Sequence, residues 1–231
     1  MTTADLVRVS RELLAEAGPQ AVVVREVARR LGVSAPALYR HVRGRDDLLT
    51  LLVAACYDDV ADAVEDAVAR CGAVEHEERL RAATLAFRSW ALANPAEFGL
   101  ALGTPLAGYA APVGGPTDRA SRRLAGLFAD VLAGLAAVGR LRAVPEEDLE
   151  PGLRAQLAGA VAALGLPVRP GEAYAFLVGW SRMVGLVSAE VSGQLRWAVT
   201  DSESFALRQV EDLLDDLVLT RPGPPDSARP S

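Results

Sequence analysis

Apolar residues recur at three- and four-residue spacing along almost the whole chain. That is the period of amphipathic helices, not of strands. Leu6, Val9, Leu13, Leu14 and Ala17 make the first stripe and predict a helix over about 4–17, ended by Gly18-Pro19. Val27, Ala28 and Leu31 make a second, shorter stripe. Gly32 follows where a helix end favours a left-handed residue. Ser34 then reads as an N-cap and Pro36 as a first-turn residue. Leu38 and Val42, four apart, point inward and leave Tyr39, Arg40 and His41 facing elsewhere. Two short helices joined by this tight turn form a helix-turn-helix pattern.

A much longer stripe follows. Leu48, Leu49, Leu52, Val53, Cys56, Tyr57, Val60 and Val64 predict one helix over about 44–70, roughly 40 Å long at ~1.5 Å per residue. Further helices are expected over 77–93, 95–102, 118–138 and 153–164. Residues 103–116 are too rich in Gly and Pro for regular structure, and a loop of that length is expected to act as a gate. The segment 171–191 carries Ala173, Phe176, Leu177, Trp180, Val184, Val187 and Val191 as its inward set, with Val178, Met183 and Leu186 forming a second apolar face. The segment 202–219 places Phe205, Val210, Leu213, Leu214 and Leu217 on one face. A helix covered on two sides suits a dimer contact, so these two segments are expected to build a four-helix bundle across a two-fold axis. Gly185 is expected where helices come close. The fold class is all-α. The domains expected are 1–45, a three-helix DNA-binding head, and 46–220, a larger helical body that also carries the dimer contact. Residues 221–231, Pro-rich and polar, are expected to form a disordered tail.

Charge sharpens the picture. The net charge is −6, which by itself argues against a general nucleic-acid binder. By segment it changes sign. Residues 1–45 hold eight Arg against four acidic residues, and the rest sixteen Arg against twenty-six. A basic head on an acidic body docks DNA by one end. No run of ~18 uncharged apolar residues exists to span a membrane, and the start of the chain lacks the order of a signal peptide. A cytoplasmic protein is expected. Cys56 and Cys71 form neither a disulfide framework nor a zinc pattern. His76, within Glu75-His76-Glu77-Glu78, reads as part of a solvated first turn. No metal, no cofactor and no catalytic constellation is expected.

At Leu31-Gly32-Val33, Pro36, Leu38-Tyr39, His41-Val42 and Arg43-Gly44-Arg45-Asp46-Asp47-Leu48-Leu49 the chain resembles the TetR family of bacterial transcriptional repressors. The close resemblance covers about residues 5 to 55. It implies that Arg25, Ala35, Pro36 and Ala37 face bases, that Tyr39, His41 and Arg45 meet backbone phosphates, and that Arg40 does either. Ser34 belongs to the same DNA-facing set. The Tyr39 ring is expected against the head core. Val24 stands where many members have a capping, phosphate-touching Thr. Trp180 and Gly185 also match a Trp-x-x-x-His-Gly signature of TetR relatives, with Val184 at the His position.

The function expected is a homodimeric, ligand-responsive repressor. It would bind palindromic double-stranded operator DNA and be released by a small, largely apolar effector. Trp90, Phe98, Tyr109, Phe128, Trp180 and Met183 are the candidate pocket lining, under the long helix. A DNA binder without an effector and an all-α enzyme are the alternatives.

Overall fold

The computed structural model describes residues 1–72, 75–103 and 105–219. It holds ten α-helices among the described residues: α1 Thr3–Ala17, α2 Val24–Arg30, α3 Ala35–Leu38, α4 Arg45–Arg70, α5 His76–Ala93, α6 Pro95–Ala101, α7 Pro116–Ala137, α8 Pro151–Leu164, α9 Pro170–Val191 and α10 Ser202–Leu217. The protein is all-α. No strand is present among those residues, only an isolated antiparallel bridge from Leu141 to Val218. No described helix is long and apolar enough to cross a membrane. The expected tail at 221–231 lies outside the described residues.

Helix α4 organises the molecule. Leu48, Leu52, Cys56, Val60 and Val64 lie four apart and are at most 1% exposed. It packs on α1, α5 and α7. One continuous core therefore runs from Leu6 and Leu38 in the head to Phe87, Leu135 and Leu214 in the body. Cys56 is a core residue whose thiol lies 3.4 Å from a Glu97 carboxylate oxygen. Burial, above all, pushes that thiol well above its ordinary pKa. A smaller core under α8 gathers Leu149, Leu157, Val168 and Ala173.

Several expectations need correction. Helix α7 starts at Pro116 rather than 118, because Pro at the first helical position loses no backbone hydrogen bond. His76 is not a solvated first-turn residue. Its ring packs on α7 so closely that a Cβ on Gly134 would sit 2.3 Å from Nδ1. In α9 the inward stripe is Ala175, Gly179, Met183 and Val187. Leu177, expected inside, is 45% exposed, and Val178 is 39% exposed. Gly185 meets nothing within 4 Å of where its Cβ would be. Within the chain, the close approach of α9 to α10 is at Gly179, where a Cβ would lie 3.0 Å from Leu217 Cδ1.

Candidate nucleic-acid interface

The turn between α2 and α3 is built by local chemistry. Gly32 takes φ 67°, a left-handed conformation open to glycine without strain. Its N–H donates to the Arg29 carbonyl at 3.2 Å, and the Val33 N–H donates to the Ala28 carbonyl at 3.0 Å. This is the paired closure of a Schellman motif. Ser34 then caps α3, its hydroxyl accepting from the Ala37 N–H at 3.3 Å. Pro36 occupies the first turn. Leu38, fully buried, and Val42, 2% exposed, lock α3 onto the head core.

The opposite side of α3 is open. Ser34, Pro36, Tyr39, Arg40 and His41 are exposed, and Ala35 and Ala37 are half-buried. Tyr39 is 52% exposed, so its ring does not lie against the core as expected. It falls one residue past Leu38, at the end of the short helix, where the helical phase turns it outward.

Ion pairs sort the basic residues of the head. Arg8 pairs with Glu12, Arg11 with Asp59 and Glu97, Arg29 with Glu26, Arg30 with Glu16, and Arg43 with Asp47. The Arg29 guanidinium holds the Glu26 carboxyl down to a pKa of about 2. Arg45 is half-buried. Its Nη2 donates to the Pro19 carbonyl at 3.1 Å and to Gln20 Oε1 at 3.3 Å. The side chain expected on a phosphate thus ties α4 to the turn after α1. Among the described residues, Arg25 and Arg40 are the head arginines with neither an ion pair nor a hydrogen-bonded side chain. Both are exposed. Helix α2 starts with Val23 as N-cap and has no side-chain cap, and Val24, 5% exposed, is core. Val24 therefore offers DNA nothing.

The expected pocket residues separate into groups. Phe128, Trp180 and Met183 meet, with Phe176, around a cavity of only about 20 Å³. Trp180 makes ring contacts to Phe87 at 5.6 Å, Phe128 at 5.9 Å and Phe176 at 6.1 Å. Phe98 joins this cluster through Phe87 at 6.2 Å. Trp90 does not line the cavity. Tyr109 belongs to the 103–115 connection, and its hydroxyl pairs with Thr50 of α4 at 3.1 Å. A cavity that size holds about one water, so Phe128, Trp180 and Met183 pack against one another and leave no room for a larger molecule between them.

A capped two-helix turn, a short outward-facing second helix and unpaired arginines beside it define a helix-turn-helix DNA-binding protein. Residues 6–52 match the model for bacterial regulatory proteins of the tetR family, and residues 80–213 match the tetracycline repressor-like C-terminal domain. The HTH-type transcriptional regulator Rv1816 of Mycobacterium tuberculosis is 33% identical over 191 residues, 83% of this chain and 81% of that protein. The solved structure of SCO4313, described as a regulatory protein, superposes with a TM-score of 0.72 at 29% identity and covers 92% of this chain and 94% of its own. A TetR family transcription regulator from Marinobacter aquaeolei superposes at 0.63 with 17% identity, covering 94% and 95%, a likeness of fold. The chain belongs to the TetR family of transcriptional regulators.

Proposed function

We propose that the protein is a homodimeric repressor that holds a palindromic operator through α3 and releases it when a small, largely apolar effector binds the body. The observation that carries the DNA-binding part is the sorting of head charges. Arg25 and Arg40 are free to meet a duplex, while the other head arginines are engaged within the protein. Arg25 and Arg40 would supply the hydrogen-bonded base reading, Arg being suited to guanine edges. Ala35, Pro36 and Ala37 would allow close approach and contact thymine methyl groups. Tyr39 and His41 would meet phosphates. Arg45 would act through the Pro19–Gln20 turn, with a phosphate contact as its second role.

Two-fold pairing is supported by the outer face of α9, where Leu177 and Val178 are exposed. Leu207 of α10 is also exposed. Two heads must then reach successive major grooves about 34–36 Å apart. The test is fluorescence anisotropy with operator duplexes. Arg40→Ala should relax the preference among operator variants at a cost of ~1–3 kcal/mol for the cognate sequence. Equal affinity of the unaltered protein for operator and scrambled duplex would exclude a sequence-specific repressor.

A further inference from the structure

A second opening in the body has the room that the aromatic cluster lacks. A cleft of about 520 Å³ lies where the end of α5, the end of α9 and the start of α10 meet under the 192–201 connection. This falls in the size range of small-molecule sites. Its walls are mixed. Leu92, Leu186, Leu195, Val199 and Phe205 supply apolar surface. Arg88 supplies the polar point.

Arg88 is only 5% exposed although it is charged. Its Nε and Nη2 grip the two Glu190 oxygens at 2.8 and 2.6 Å, and Nη2 also reaches Glu203 Oε2 at 2.9 Å. Its Nη1 makes no hydrogen bond among the described residues, yet it is not one of the polar atoms sealed from solvent. A guanidinium has five N–H donors. Two of them are left without a partner, beside a cleft whose lining is part apolar and part polar. The charges around it cancel, Arg88 and Arg196 against Glu190 and Glu203. An anion at Nη1 would meet the repulsion of the Glu190 and Glu203 carboxylates beside it, and a cation would have to draw one of them away from Arg88. A neutral oxygen can accept from Nη1 with every existing pair intact.

We infer that this cleft is the effector site and that it takes a neutral, mainly apolar molecule bearing a carbonyl or amide oxygen directed at Arg88. The inference rests on the ligand-responsive reading above and names its site. The fold offers a path to the head. Leu92 lines the cleft two residues before the α5–α6 corner at Asn94. Glu97, in the first turn of α6, lies 3.4 Å from Arg11 of α1. Arg11 also pairs with Asp59 of α4. An occupant that shifts the end of α5 moves α6, and α6 holds the first helix of the DNA-binding head. Such a shift changes operator affinity only if the ligand prefers one arrangement.

Titration calorimetry of the full chain with octanamide, octanoate and octylammonium as probes tests this. Octanamide should bind at least about tenfold more tightly than either charged analogue, a difference of ~1.4 kcal/mol. Ala189→Trp, which fills the cleft, should weaken octanamide by about tenfold or more, and Trp180→Phe in the aromatic cluster should leave it unchanged. Arg88→Lys keeps the positive charge beside Glu190 but lacks Nη1, and it too should weaken octanamide. The inference is overturned if the unaltered protein ignores octanamide, if octanoate binds equally well, or if Trp180→Phe weakens binding while Ala189→Trp does not. Operator anisotropy on the same samples separates the two levels of the account. Operator binding by the unaltered protein with no octanamide binding defeats the cleft assignment alone. Octanamide binding that leaves operator affinity unmoved defeats the effector role.

Discussion

Val23 shows what a single residue withholds. It is the N-cap of α2 and gives that helix no side-chain hydrogen bond. Val23→Ser supplies an acceptor at an exposed site, so it should stabilise the protein by about 1 kcal/mol in urea unfolding. An unchanged midpoint would mean that the α2 start is already satisfied. Glu26 gives the head a pH dependence. Its folded pKa is depressed to about 2 from 4.5, chiefly by the hydrogen bond from Arg29. The stability it contributes is therefore fully present above about pH 4.5 and is lost as pH falls through about 2. Glu26→Gln should remove that part of the acid dependence of the melting temperature, and an identical acid profile would refute the pairing. The turn itself was legible in sequence because Gly32, Ser34 and Pro36 act on their own backbone. The placing of Arg45 was not, because its side-chain direction depends on partners far away in the chain. Arg45 meets Pro19 and Gln20, which no local pattern brings beside it.

Helix positions followed from apolar periodicity, and boundaries from Pro and Gly. Helix faces were harder. In α9 nearly every position is apolar or small, so the period fixes a helix but not its rotation. Leu177 and Met183 exchanged their expected places for that reason. Within the chain, Gly179 sets the closeness to α10. His76 was misread because flanking acids suggested solvent, whereas its contact is with α7. That contact gives a prediction. Gly134→Ala inserts a methyl group into the His76 ring and should destabilise by about 1–3 kcal/mol. Retained stability in calorimetry would mean that the ring swings aside. The aromatic residues proposed as pocket lining are mostly close together. Sequence located Trp90, Phe98, Phe128 and Trp180 on the right helices, but only packing shows how closely Phe128 and Trp180 fill the space between them.

At the scale of the whole molecule, one core links head and body through α4, so neither half moves without the other noticing. The outer face of α9 is the surface on which the dimer proposal rests. Leu177→Glu places a charge on that face without touching the chain's own core. Sedimentation should show a dimer for the unaltered protein and a shift to monomer for the variant. A monomer in both cases would remove the two-fold symmetry from the account. Tail residues contribute nothing to these arguments.

The central claim is that this chain reads a specific operator with the exposed side of α3 and its two free arginines. Selection of bound duplexes from a random pool, followed by sequencing, tests it most directly. The account predicts an enriched palindrome whose half-site centres lie one helical turn apart, about 10–10.5 base pairs, or a multiple of that. The enrichment should vanish for Arg25→Ala combined with Arg40→Ala, while the variant still melts like the unaltered protein. A pool that emerges without any preferred sequence, or one whose preference survives both substitutions, would contradict it.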